Sequence, residues 1–357
     1  MRLIATVIAL LCLAGCDVFD PALYMSADSG TPDSGALDSA IPDSALDSAV
    51  EDATPDADAG FSLADRCSAS APELPSLSEN IVVDTTALAD EVSSEVTSCA
   101  GSTAPGHEGF FSVEMHAGEK WHFHVTALEA AGDPIVYVLG TDCDARACQR
   151  GEATNVCNLR DEHFTFVAPD DGTYLVAVDD ANDRGGTYEV LPIQPDCGNG
   201  VVEHSEACDE ESAACTDTCL GVLGTGGMEV EPNDDPPGAN VLDFTSGTVR
   251  GDVASQCDLA SFQFTAPAGA TLTATVLPRG MATCNTAAPA LDLELVSTDG
   301  RTLYGSVSAG PGECPTIEGT EAFATGLSAG DYALRLVPTA DETSLYDFDL
   351  TIDVATP

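Results

Sequence analysis

Two groups of side chains in this 357-residue chain carry donor atoms at spacings that suit a metal. The first is Glu229-Val230-Glu231-Pro232-Asn233-Asp234, joined by Asp258 ahead of a predicted strand. Carboxylates and an amide gathered on one loop are hard oxygen donors, the chemistry of calcium. Pro-Asn-Asp also forms a turn unaided, with its acids left in water, so the residues alone leave both readings open. The second group is His116, His122 and His124. On a strand, His122 and His124 straddle Phe123 and share a face. Imidazoles at that spacing, with a bound water, would make a zinc hydrolase. No acid stands beside them as a general base, and the expected reading is an exposed polar face.

Other enzyme signatures are missing. The chain has no His-Glu-x-x-His helix, no Gly-x-Ser-x-Gly turn and no glycine-rich phosphate loop. The expectation is a protein that is not an enzyme. Net charge is −49, from 60 acidic residues against 11 basic ones, and Lys120 is the only lysine. Such a field repels nucleic acid and anionic lipid heads and attracts divalent cations or basic surfaces.

The N-terminus carries chemistry of another kind. Met1-Arg2 is followed by an apolar run from Leu3 to Cys12 and then by Leu13-Ala14-Gly15-Cys16. A positive charge, a short apolar stretch and small residues are the layout of a secretory signal, and the run is too short to span a bilayer as a mature helix. Leu-Ala-Gly-Cys resembles the lipobox of bacterial lipoproteins. The resemblance implies that Cys16 becomes the acylated first residue, and two acyl chains hold a protein durably at a membrane. Asp17 resembles the inner-membrane retention signal of enteric bacteria, whereas the long stalk described next suits outward display. The expected location is the cell envelope, at the outer membrane or cell surface.

From Ser26 to Gly60 the chain cycles through Pro-Asp-Ser and Leu-Asp-Ser with no basic residue. Such a segment buries too little apolar surface to offset its ordering entropy, and its like charges push the coil open. A flexible coil of about 45 residues spans roughly 35–40 Å. Residues 16–62 are therefore expected to form a disordered tether after a signal at 1–15.

Beyond the tether the pattern becomes alternation, written twice. Phe111, Val113 and Met115 precede Ala117-Gly118-Glu119 and then Trp121, Phe123 and Val125. Phe262 and Phe264 precede Ala268-Gly269-Ala270 and then Leu272, Ala274 and Val276, offset by 151 residues. Gly172-Thr173-Tyr174 matches Gly330-Asp331-Tyr332 at an offset of 158. A constant offset that changes once is the trace of a duplication with one insertion. Tyr346, Phe348, Leu350, Ile352 and Val354 alternate with polar residues, which puts all five on one sheet face. The fold expected is all-β: two antiparallel β-sandwiches of jelly-roll type over 63–195 and 223–357.

The second copy resembles the bacterial pre-peptidase C-terminal domain, through Glu229-Val230-Glu231-Pro232-Asn233-Asp234, Gly251-Asp252-Val253, Asp258 to Phe262, Asp299-Gly300 and Ala329-Gly330-Asp331-Tyr332. The first copy is a divergent relative that keeps the Gly-Thr-Tyr turn and the final strand. The family is an accessory β-sandwich of exported proteins. Collagenase-binding domains of similar architecture hold calcium on an acidic segment of this kind, which implies Glu229, Glu231, Asn233, Asp234 and Asp258 as ligands. Ala260 departs from the pattern, because related domains commonly place an Asp there.

Between the copies, residues 196–222 contain Cys197-Gly198-Asn199-Gly200, then Cys208, Cys215 and Cys219. They resemble a short cysteine-rich repeat of myxobacterial surface proteins. So small a module has no room for an apolar core, and cross-links supply its order. A four-thiolate zinc site is the alternative, but paired Cys-x-x-Cys spacing is lacking. In an exported chain the even set Cys67, Cys99, Cys143, Cys148, Cys157, Cys197, Cys208, Cys215, Cys219, Cys257, Cys284 and Cys314 reads as disulfides. Two accessory-type modules on a lipid anchor imply binding or display towards an extracellular protein or polysaccharide. The alternatives are the zinc hydrolase above and a structural envelope spacer.

Overall fold

The computed structural model describes residues 61–74, 79–92, 103–144, 148–152, 160–182, 184–209, 212–253, 255, 258–284, 288–339 and 346–356. The signal, Cys16 and nearly all of the acidic tether lie outside them, as do Cys99, Cys157 and Cys257.

The first copy contains β1 (Ile81–Asp84), β2 (Gly109–Met115), β3 (Lys120–Ala127), β4 (Pro134–Gly140), β5 (Arg150–Glu152), β6 (Asp161–Val167), β7 (Gly172–Asp180) and β8 (Thr187–Ile193). They form two antiparallel sheets, β1-β8-β3-β6 and β2-β7-β4-β5. After β9 (Val222–Leu223) come β10 (Asn240–Leu242), β11 (Ser246–Val253), β12 (Ala260–Ala266), β13 (Ala270–Pro278), β14 (Leu291–Val296) and β15 (Leu303–Ala309). β16 (Thr316–Ile317), β17 (Thr325–Leu327), β18 (Gly330–Pro338) and β19 (Tyr346–Ala355) complete the chain. One sheet runs β15-β14-β18-β12-β10-β9, the other β11-β19-β13-β16 with β17 on β13. The path β2-β7-β4-β5 and the path β12-β18-β14-β15 have the same order. β2 and β12 are offset by 151 residues and β7 and β18 by 158, the spacings read in the sequence.

Alternation explains the inner faces. Tyr346, Phe348, Leu350, Ile352 and Val354 of β19 are all buried, beside Leu272 and Val276 of β13 in the same sheet and in one core with Phe262 and Phe264 of the opposite sheet. The hairpin glycines Gly118 and Gly269 have φ of 82° and 80°, the left-handed region that glycine enters without steric cost. In the first copy Phe111, Val113, Phe123, Val136, Val176 and Val190 form the matching core.

The structure differs from simple alternation in two places. β2 and β4 are buried on both faces, because Phe110, Ile135, Tyr137 and Leu139 form a second apolar cluster on the outside of their sheet. The segment around Ala64–Glu73 covers it, bridging to Phe110 and Ser112, and the Cys67–Cys143 disulfide fastens that cover. The second difference is pairing: β9, β10 and β12 run parallel, since the chain re-enters the second sandwich along its edge instead of through a hairpin.

The cysteine-rich module closes on itself through Cys197–Cys219 and Cys208–Cys215, and Cys284–Cys314 cross-links the second sandwich. Cys148 is also disulfide-bonded. Gly198 and Gly200 adopt φ of 94° and 91°, which lets both backbone N–H groups donate to the Asp209 carboxylate at 3.0 and 2.9 Å. That geometry is why the module opens on Cys-Gly-Asn-Gly.

Candidate metal centre

The chain reaches the second sandwich along the edge of β11, where Met228 bridges to Arg250 and Glu229 N–H donates to the Arg250 carbonyl at 2.8 Å. It turns through a cis Glu231–Pro232 bond and is caught by β12, whose Ser261 N–H donates to the Asn233 carbonyl at 3.0 Å. These bonds set the acidic residues against the start of β12. One carboxylate oxygen from each of Glu231, Asp234 and Asp258 lies within 4.8 Å of the others. Among the described residues this is the only trio of His, Cys, Asp or Glu so gathered.

Glu229 and Asn233 sit beside the trio. Glu229 Oε1 accepts the Asp252 N–H, and Glu231 Oε2 accepts the Asn233 N–H at 2.9 Å. The fully buried Asn233 amide lies between the two glutamates, one end 3.3 Å from Glu229 Oε2 and the other 3.1 Å from Glu231 Oε1. An amide has donors at one end only. Turned with its nitrogen towards Glu231, the amide donates to Glu231 Oε1 at 3.1 Å and Oε2 at 3.2 Å.

The electrostatics agree. Burial, then the Glu231 and Asp258 charges, push Glu229 up to about 8. Glu231 is the exposed member of the trio, and loss of hydration with the Asp234 charge pushes it up to about 8. Asp234 is raised well above the carboxylate range by burial and by Asp258, although its Oδ1 accepts Leu259 N–H at 3.2 Å. Acids so placed hold protons at neutral pH until a cation displaces them. Ala260 offers no oxygen and packs in the core.

The three histidines do not meet. His116 is exposed at the β2–β3 turn, 3.6 Å from Asp171. His124 is half-buried, 3.7 Å from Asp161. His122 is not on an exposed polar face as its strand position suggested: it is 2% exposed, because the cysteine-rich module lays His204 flat against it with ring centroids 4.2 Å apart. Parallel stacked rings do not aim their nitrogens at a shared ion. Burial and the neighbouring imidazoles hold His122 well below its usual range, so it is neutral.

Sequence patterning gave no sign of Asp235, immediately after the acidic cluster. Its carboxylate accepts from Arg150 of β5 at 3.3 Å and from Thr165 N–H of β6 at 2.7 Å. Arg150 also donates to the Gly300 carbonyl at 2.8 Å, and Lys120, the only lysine, donates to the Pro237 carbonyl at 3.0 Å. Two of the scarce cations of this acidic chain, Lys120 and Arg150, are therefore spent on the joint between the sandwiches. That scarcity was the one sequence signal pointing there.

Among solved structures, the chain is similar to the pre-peptidase C-terminal domain of collagenase from Bacillus anthracis, at 12% identity over 37% of this chain and 92% of that one, TM-score 0.24. It is similar to PliG from Aeromonas hydrophila, a periplasmic inhibitor of g-type lysozyme, at 13% identity over 38% and 100%, TM-score 0.20. The tandem CBM22 domains of Xyn10C from Paenibacillus barcinonensis align at 12% identity over 69% and 83%, TM-score 0.19. No family model matches the chain, and no curated protein matches it.

Proposed function

We propose that this is a lipid-anchored protein of the bacterial cell envelope that displays two linked β-sandwiches for binding and performs no catalysis. Leu13-Ala14-Gly15-Cys16 supplies the anchor and the acidic stretch behind it the standoff. The second sandwich is of the pre-peptidase C-terminal type and binds calcium through Glu229, Glu231, Asn233, Asp234 and Asp258. The observation that carries the calcium assignment is the gathering of one carboxylate oxygen from each of Glu231, Asp234 and Asp258 within 4.8 Å of one another, with Glu229 and the buried Asn233 amide beside them. Calcium would draw those oxygens together and fix how the chain enters the sandwich. The partner is an extracellular protein or polysaccharide, met at loop ends or sheet faces on the outer side of the outer membrane.

Labelling cells with an alkynyl palmitate analogue tests the anchor. The intact chain should take up label, fractionate with membranes and be cut by protease added to whole cells, and Cys16→Ser should abolish the label. An unlabelled chain recovered in the cytosol overturns the reading. Calcium is tested separately, by titrating the chelator-stripped protein: Asp258→Asn should weaken binding at this centre at least tenfold. Glycan pull-down and cross-linking on intact cells test the partner, and a null result in both refutes a binding role.

A further inference from the structure

The first sandwich buries acids of its own, at the opposite copy from the centre just described. Gly109 of β2 pairs with Val178 of β7, and continuing that antiparallel register sets Glu108 opposite Asp179. Residues directly opposite on neighbouring strands have Cβ atoms about 4.5–5.5 Å apart, and like charges there repel. Both side chains are fully buried, at 0% exposure. By strand parity they share the outer face with Phe110, Ile135 and Tyr137, under the covering segment. Glu91 and Val92 backbone N–H groups close over Glu108 and donate to its Oε1 at 2.5 and 2.6 Å.

The other oxygen, Glu108 Oε2, is buried without any hydrogen-bond partner. Across from it, Asp179 Oδ1 accepts Asp180 N–H at 2.6 Å, and Oδ2 has only a long contact of 3.5 Å from the Tyr137 hydroxyl. Gly106 completes the corner. A Cβ there would lie 2.8 Å from Asp179 Oδ1, 2.5 Å from the Asp180 carbonyl oxygen and 2.7 Å from that of Arg184. Only a residue without a side chain lets so many oxygens approach. Asp90 adds a further charge from the exposed rim. Neither buried carboxylate has an ion pair with a basic side chain among the described residues. Burial pushes Glu108 up to about 7, and burial with the Glu108 and Asp90 charges pushes Asp179 up to about 8. Neighbouring Asp180 differs: its oxygens are taken by Tyr188, Asp133 and Asn182, so it serves the loop.

We propose that Glu108 and Asp179 ligate a divalent cation of the calcium class, forming a second metal centre separate from that at Glu231, Asp234 and Asp258. The ligand atoms on hand are the two carboxylates, with the Asp180 and Arg184 carbonyls close by around Gly106; oxygen ligands are hard-cation chemistry, unlike a thiolate or imidazole site. A cation there gives Glu108 Oε2 the partner it lacks and turns the repulsion across β2 and β7 into attraction.

The test uses the full chain carrying Asp234→Asn and Asp258→Asn, which silences the other centre. Stripped with chelator and titrated with calcium, it should still bind one equivalent. Terbium in its place should luminesce on excitation of the adjacent Tyr137. Adding Glu108→Gln should weaken calcium binding at least tenfold. Tyr137→Phe should dim the sensitised emission while the calcium equivalent remains. The proposal fails if the Asp234→Asn/Asp258→Asn chain, with native circular dichroism, binds no calcium, a result that needs no change at Glu108. It also fails if Glu108→Gln leaves the stoichiometry and affinity unchanged. Either outcome would mean that the two acids share a proton instead.

Discussion

Asp235→Asn is the sharpest probe of how the sandwiches are joined. Asp235 and Arg150 have side chains only 8% and 5% exposed, so the pair is screened little by water. Asparagine keeps the shape and one acceptor for Thr165 N–H but removes the charge facing Arg150. Breaking a buried pair by deleting one partner costs about 3–5 kcal/mol. Arg150 retains the Gly300 carbonyl at 2.8 Å and lies 5.8 Å from the Phe164 ring centroid, so the low end, about 3 kcal/mol, is expected. Arg150→Met should cost a similar amount, because it strands the carboxylate. The double variant Arg150→Met/Asp235→Leu removes both charges and leaves mainly Thr165 N–H unpaired, about 1–3 kcal/mol. Its cost should fall short of the sum of the singles by about 3 kcal/mol. Urea unfolding at saturating calcium reads this, because Trp121, the only tryptophan, reports the first sandwich while far-ultraviolet circular dichroism reports both. The two probes should coincide in the parent and separate in Asp235→Asn. Single variants within 0.5 kcal/mol of the parent, or additive costs, would refute the joint.

Stability without calcium should fall as pH rises above 6.5. The folded chain holds protons on Glu229 and Glu231 up to about 8, whereas the unfolded chain releases them near the ordinary carboxylate value. The native state thus binds more protons across that window, and its advantage shrinks with pH. Glu108, Asp179 and Glu206 act in the same direction, and the buried histidines, whose values are lowered, contribute only below 6.5. Calorimetry should show Tm in chelator lower at pH 8.5 than at pH 6.5, with calcium closing the gap; equal Tm values at pH 8.5 with and without calcium contradict this. Gly251→Ala should unfold more easily by about 1–3 kcal/mol and bind calcium more weakly. Its new methyl would lie 2.3 Å from the Phe348 ring and 2.6 Å from the Glu229 carboxylate, and unchanged calcium affinity would break that link. Removing Cys284–Cys314, which are 30 residues apart, should cost about 3.5 kcal/mol, against about 2.5 for Cys208–Cys215 at a separation of 7. Denaturation of the paired Cys→Ala variants should show that order.

The inner faces were legible because period-two alternation has a single physical solution once one side is buried. β19 and the hairpins around Gly118 and Gly269 could be read residue by residue. The cover over Phe110 could not, because the segment from Ala64 to Glu73 is irregular and held by bridges and a disulfide with no periodicity of their own. For the same reason the polar side of β3 pointed to water in the sequence, yet His122 lies beneath His204. The acidic segment around Glu231 was visible as a local cluster. Arg150 and Asp235, 85 residues apart, meet only through tertiary structure.

The duplication explains why buried oxygens gather where they do. β2 and β12 are equivalent strands, and acids stand just before each: Glu108 before Gly109, Asp258 two residues before Ala260. In a sandwich these strand starts lie at one end, where backbone carbonyls leave the ladder and loops supply side chains. The copies complete that corner from different sources. In the second, the lead-in from Glu229 to Asp234 crosses it before β10 begins. In the first the corresponding acids come from the end of β7, where Asp179 stands in place of Val337 of β18. An apolar Val at this position in one copy and a fully buried Asp in the other is not what packing alone selects, since a buried carboxylate carries a hydration penalty that Val does not. A cation held with Glu108, as proposed above, would compensate the charge at Asp179. Loss of calcium from the first sandwich should therefore follow Asp179→Val, which copies the second sandwich's residue, while the centre at Glu231 keeps its metal.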